Sequence, residues 1–346
     1  MKTKLTVLFA ALVLLTSCTF SGSTLPSVSG TKYEILVVMD DANWKAPSGR
    51  ALAALLRQDM TGLPQPEPVM DVSQCSRTEF TDVLKPARNL LITEISDKYT
   101  VPKIIYTQDK FAHPQTVVRI TAPNDSVFEA TIKTFGDRIL DYFLRSERDR
   151  QLKYNKEYIN DKAKAQVEKM FGVSIDIPLG ITRITKRPDF FWITNGQPNV
   201  RQDIVIYSYP YTDKKTFTKE FLLAKRDSVM KANIPGELKG SYMGTENEYD
   251  KPVFKEIWVN NGYCAEVRGL WKMMNGASMG GPFYSHTRLD EINQRVITIE
   301  GFVFAPGTKK RNHIRQLEAA IYSAKLPQEI NVLKEVSVVA NKETKK

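Results

Sequence analysis

Apolar positions recur along this chain with two periods, and their order predicts its elements. Tyr33 to Met39 is a β-branched run that fits a buried strand and ends at Asp40-Asp41. Behind Pro47-Ser48, Leu52, Leu55, Leu56 and Met60 return at helical spacing until Gly62 and Pro64 stop the helix. Strands are predicted at 89–95, 103–107 and 116–121. Pro123-Asn124-Asp125-Ser126 then opens a helix whose stripe is Phe128, Ile132, Phe135, Ile139 and Phe143. A second, charge-rich helix is expected from Asp149 to about Phe171, with Gly172 as its stop.

The second half follows a similar order. Residues 181–184 and 190–194 predict a hairpin and 203–209 a strand. A helix carrying Phe217, Phe221, Leu222 and Val229 follows and ends near Pro235-Gly236. Strands are predicted at 255–259, 265–273 and 295–304, and the last leads into a helix carrying Ile314, Leu317, Ile321 and Leu326. In both halves a strand enters a helix through Ala-Pro, at Ala122-Pro123 and Ala305-Pro306. The expectation is an α+β fold of two related units, 32–171 and 172–329, each a mostly antiparallel sheet with helices packed on one face. Residues 330–346 read as a frayed tail.

The start of the chain has a different pattern. Lys2 and Lys4 precede an apolar run from Leu5 to Leu15, which is signal-peptide length and short of the ~20 residues that span a bilayer. Leu14-Leu15-Thr16-Ser17-Cys18 resembles the lipobox of bacterial lipoproteins, in which the cysteine is lipidated and becomes the new N-terminus. Residues 1–17 are thus expected to be a lipoprotein signal peptide, Cys18 the lipidation site, and the Ser/Gly-rich stretch 18–31 a flexible tether. The alternative is a plain secretory signal with Cys18 left as a thiol. Cleavage would remove Lys2 and Lys4 and lower the formal charge from +10 to +8. Such a basic protein in the envelope would meet peptidoglycan carboxylates or lipid phosphates, and export excludes nucleic acid as a partner. Bacterial lipoproteins exported to the cell surface resemble one another in an acidic run after the cysteine; this chain has Thr19-Phe20-Ser21-Gly22-Ser23 there, so that resemblance implies the periplasmic face of the outer membrane.

The layout as a whole resembles an uncharacterised family of Bacteroidota lipoproteins carrying a domain of unknown function. The resemblance rests on Ile257-Trp258-Val259-Asn260-Asn261-Gly262-Tyr263-Cys264-Ala265-Glu266-Val267-Arg268-Gly269-Leu270-Trp271 and Met279-Gly280-Gly281-Pro282-Phe283. It implies an envelope lipoprotein and carries over no activity, cofactor or catalytic residue.

Candidate chemistry is sparse. Ser278, Ser285 and His286, with Asp290 and Glu291 nearby, include the residue types of a hydrolase, but no G-x-S-x-G elbow occurs. The loop from Asn275 to Pro282 could cradle an anion, yet it lacks the Gly-Lys-Ser/Thr ending of phosphate loops. Asp40-Asp41, after the first strand, reads as a turn or cap pair. His113, His286 and His313 are isolated and no C-x-x-C or H-E-x-x-H is present, so neither a metal nor a cofactor is expected. Cys75 and Cys264 could form one disulfide, though buried thiols are the expected state. Tyr207, Tyr209, Trp258, Tyr263 and Trp271 form an aromatic group that could stack on a sugar or peptide, or could be core. Taken together, the expectation is a non-catalytic binding or assembly protein whose partner is peptidoglycan or another envelope protein. The alternative is a hydrolase acting on cell-wall material.

Overall fold

The computed structural model describes residues 25–331. The expected signal peptide, the expected lipidation site Cys18 and nearly all of the expected tail lie outside the described residues. The first domain opens with β1 (Glu34–Val38), the short α1 (Asp41–Lys45) and α2 (Pro47–Leu56), followed by β2 (Asp71–Cys75), β3 (Asn89–Ile95), β4 (Lys103–Gln108) and β5 (Thr116–Ala122). These strands form one sheet in the order β2-β1-β3-β5-β4. Strand β1 runs parallel to β2 and β3, and β3 parallel to β5; only β4 is antiparallel to its neighbour. The expected antiparallel sheet is therefore corrected for this domain. Helices α1 and α2 carry the chain back over the sheet, which a parallel neighbour requires, and side-chain periodicity holds no information about strand direction.

Helix α3 (Asp125–Glu157) follows β5, with the Asn124 side chain accepting from Val127 N–H at its start. It continues past the expected boundary at Asp149, and the predicted second helix is split at Tyr158–Asn160. Asn160 explains the split, because its Oδ1 accepts from Ala163 N–H at 3.0 Å and its Nδ2 donates to Ile181 O at 2.7 Å, capping a new helix α4 (Asp161–Phe171). Gly172 ends α4 at φ +62°, as expected. Residues 27–29, expected to be tether, bridge to Ala87 and His113 instead.

The second domain is an antiparallel sheet. Strands β6 (Arg183–Arg187), β7 (Phe190–Thr194), β8 (Arg201–Pro210), β9 (Tyr242–Glu246), β10 (Val253–Val259), β11 (Gly262–Met274), β12 (Gly280–Asp290) and β13 (Arg295–Phe304) make it. The order is β10-β11-β12-β13-β8-β7-β6, with β9 on β11. Helix α5 (Lys219–Asn233) covers one face, and α6 (Arg311–Tyr322) packs on the other, so helices occupy both faces and not the one expected. Alternation makes this possible: Ile204 and Ile206 of β8 face α6 while Val205 and Tyr207 face α5. Strand β5 sits between one parallel and one antiparallel neighbour, and β13 between two antiparallel ones, so the shared Ala-Pro order does not reflect a repeated topology. The α+β class holds.

One apolar core joins the two domains, running from Ile35, Val118 and Ile120 through Phe128, Ile139 and Phe143 of α3 to Leu317 and Ile321 of α6 and Ile299 of β13. A polar contact fixes the same junction. The buried Glu67 carboxylate accepts from Lys310 N–H at 2.6 Å and Arg311 N–H at 3.0 Å, capping α6 from the other domain. Arg311 adds Asp71 at 2.5 Å and the Pro68 carbonyl at 2.6 Å.

Candidate functional site

The hydrolase candidates do not meet. Ser285 and His286 are neighbours on β12, so alternation sends them to opposite faces of the sheet. Among the described residues, Ser285 Oγ hydrogen-bonds to the Val267 carbonyl alone, at 3.5 Å. Ser278 is exposed in the turn between β11 and β12, eight residues before His286, which at ~3.3 Å per residue is over 20 Å along the strand. Asp290 is buried but is taken by Arg295 at 2.9 Å and Asn293 at 2.8 Å. Glu291 is exposed. The glycines of this loop serve packing: a Cβ on Gly281 would sit 2.0 Å from the Val303 carbonyl oxygen. Asp40 lies 3.6 Å from Arg77, and Asp41 accepts from Gln74 at 3.0 Å, so neither opens a site. Cys75 and Cys264 are both buried free thiols, and burial pushes Cys264 up to about 12.

The aromatic candidates divide between core and surface. Tyr207 and Trp271 are buried under α5, and Tyr207 stacks on Tyr209, which in turn meets Phe221. Tyr263 is half-buried against Phe217 with its hydroxyl on Glu256 at 3.1 Å. Trp258, on the edge strand β10, is 75% exposed. Helix α5 thus covers the aromatic face that could have offered a stacking platform.

A concave site exists elsewhere, at the junction of the domains. A cavity of about 340 Å³ is lined by Tyr33 ahead of β1, the segment Gln58–Thr61 after α2, and Leu144 and Arg148 of α3. Lys255 of β10, Glu266 and Arg268 of β11, and Arg315, Glu318 and Tyr322 of α6 complete it. Arg268 is the centre of its polar wall: it donates to Glu266 at 2.9 Å and Glu318 at 2.5 Å and lies 4.2 Å above the Tyr284 ring. Tyr284 donates its one hydroxyl hydrogen to Glu266 at 2.9 Å, so its contact with His286 Nε2 at 2.5 Å requires the proton to be on the imidazole. That tautomer leaves His286 Nδ1 as a buried acceptor without a donor among the described residues. Burial pushes His286 down to about 3, against the pull of Glu266, so the ring is neutral and a poor base at physiological pH.

Two further arginines line the cavity. Arg315 is 6% exposed, lies 4.2 Å above the Tyr33 ring and donates Nε to Met60 Sδ at 3.4 Å. Arg148 stacks 3.9 Å above the Tyr322 ring. Neither has a carboxylate within ion-pair distance among the described residues. The periodicity of the chain did not reveal this site. Its side chains come from four elements and two connecting segments far apart in sequence, and the local signal was charge on the buried stripe of α6, where Arg311, Arg315 and Glu318 stand among Ile314, Leu317 and Ile321.

Comparison with known proteins adds domain identity. Residues 28–156 match a family model described as Domain of unknown function (DUF8532), and residues 160–323 match one described as Domain of unknown function (DUF4837). The second match begins ahead of α4. No curated protein matches the chain. The chain is thus similar to two families of unknown function over adjoining stretches, and residues of both stretches line the charged cavity.

Proposed function

We propose that this is a lipid-anchored envelope protein, held at the periplasmic face of the outer membrane by lipid on Cys18, that binds a small ligand between its two domains without transforming it. The observation that supports this reading is the interdomain cavity. Its size falls at the lower end of small-molecule sites, and domain junctions are where such sites concentrate. The candidate reactive groups argue for binding over catalysis, because His286 is held neutral in a buried network and both serines point elsewhere. The envelope placement rests on the lipobox-like Leu14 to Cys18 and the charge pattern of the exported chain.

The test uses the full-length protein in detergent. Its melting temperature is measured with muramidase-digested peptidoglycan and, separately, with phospholipid vesicles, and the fragments are weighed by mass spectrometry before and after incubation. A rise in Tm with unchanged fragment masses is expected. Cleaved fragments would overturn the non-catalytic assignment, and no shift with either material would overturn binding. For the anchor, Cys18→Ala should abolish incorporation of radiolabelled palmitate; labelling that persists would remove it.

A further inference from the structure

We propose that the interdomain cavity is an oxyanion site, in which Arg315 and Arg148 hold the carboxylate or phosphate of a small ligand. This rests on the binding reading above and specifies its chemistry. Arg226, Arg288 and Arg311 are 2%, 5% and 3% exposed, and each has a carboxylate partner: Glu300, Glu329 and Asp71 respectively. Arg315, at 6%, has none within ion-pair distance among the described residues. A guanidinium carries five N–H donors in a fixed fork, and the groups Arg315 meets are neutral: the Met60 thioether, a weak acceptor, and Tyr33. Burying a cation so poorly satisfied is costly, and the fold places this one against open space.

The surroundings decide what would fill that space. The Arg315 guanidinium lies 4.2 Å over the Tyr33 ring and that of Arg148 3.9 Å over the Tyr322 ring, contacts that help to hold each in place. Both cations are thereby pre-organised for the planar, two-point recognition at which arginine exceeds lysine. Acids line the cavity too. Glu266 and Glu318 are both bonded to Arg268, and Asp141 pairs with Arg145 at the surface; Glu318 acts on Arg315 through space, but none of the three bonds to it. Asp59 is exposed. Arg268 is already held by two carboxylates, so Arg315 and Arg148 are the lining arginines left without a bonded carboxylate among the described residues, and they are the seat for an anion. A cavity of about 340 Å³ admits a monosaccharide or a dipeptide and excludes a folded polymer.

Isothermal titration calorimetry on the full-length protein tests this, with N-acetylmuramic acid as a carboxylate probe, inorganic phosphate as a phosphate probe and neutral N-acetylglucosamine as the control. Binding of either anion, with the neutral sugar at least tenfold weaker, is expected, and the anion that binds names the source. Arg315→Met should weaken it at least tenfold and Arg148→Ala several-fold. Because the wild-type guanidinium is poorly satisfied, Arg315→Met should fold and melt at or above the wild-type temperature without ligand. A Tm lowered by more than about 10 °C would mark Arg315 as a packing residue and overturn the assignment. So would equal binding of the neutral sugar, no binding of either anion, or unchanged affinity in both variants. If the Arg315→Met protein still shows the Tm shift with digested peptidoglycan, the binding function stands and the oxyanion site falls.

Discussion

Replacing Glu67 by Ala should loosen the junction on which the cavity depends. Glu67 is 4% exposed, and its two carboxylate oxygens take the N–H groups of Lys310 and Arg311 at 2.6 and 3.0 Å. Those are two of the N–H groups that a helix start leaves without an internal partner, and Lys310 and Arg311 are themselves buried. A charge-assisted hydrogen bond contributes about 1.5–3 kcal/mol net, and loss of a helix cap costs about 0.5–2 kcal/mol. Desolvating the carboxylate offsets part of this, so we expect Glu67→Ala to cost about 2–4 kcal/mol and Glu67→Gln, which keeps one acceptor, roughly half as much. With a urea m-value of about 3 kcal/mol/M, the midpoint should fall by about 1 M for the alanine variant. The loss should also separate the domains in unfolding, because Glu67 is in the first domain and α6 packs on the second sheet. Urea denaturation followed by circular dichroism and by tryptophan fluorescence reads both effects. Coincident transitions at the wild-type midpoint would refute the claim that this carboxylate holds α6.

Three other substitutions test the account of the second domain. Arg226→Met leaves Glu300, which is 0% exposed and bonded to Arg226 at 2.7 and 2.9 Å, without its cation, and should cost about 3–5 kcal/mol. Burial already pushes Glu300 up, with Arg226 opposing; an acid raised in the folded state loses stability as pH rises, so the penalty should be larger at pH 8 than at pH 5, and an equal penalty would contradict it. His286 is pushed down to about 3 from an ordinary 6.5, so below about 6.5 the unfolded chain takes a proton that the folded chain refuses, and stability should fall by up to about 1.4 kcal/mol per pH unit. His286→Phe should flatten that slope between pH 6.5 and 5, measured by urea denaturation. Gly301→Val places a side chain where a Cβ alone would lie 2.7 Å from Leu317 Cβ, so α6 must move off β13; a loss of about 1–3 kcal/mol is expected, and an unchanged Tm would show that α6 does not rest there.

The buried charges separate into two kinds. Arg226 with Glu300 and Arg88 with the 2%-exposed Glu147 are closed pairs inside single domains, and their geometry leaves nothing for a ligand to do. The charges between the domains are uneven, with Arg268 doubly bonded and Arg315 without a carboxylate. Uneven satisfaction at an opening in the fold is the property that makes the junction a candidate site.

The sequence by itself determined most of the elements, because each follows from local periodicity and capping. The strand at 89–95 is Asn89–Ile95 in the structure, the one at 295–304 is Arg295–Phe304, and Gly172 ends its helix as expected. The elements it did not reveal were those with polar interiors. Strand β12 read as a glycine loop followed by Ser285 and His286, because Gly280-Gly281-Pro282 looks like a chain breaker. Only the sheet shows that Gly281 is there to let Val303 approach and that polar residues alternate between two covered faces. Strand direction, the placement of helices on both faces of the second sheet and the cavity were decided by the tertiary structure. Period-2 alternation is the same in parallel and antiparallel strands. A site assembled from Tyr33, Arg148, Arg268 and Arg315 exists only once α3 and α6 pack between two sheets, and no local pattern carries that contact.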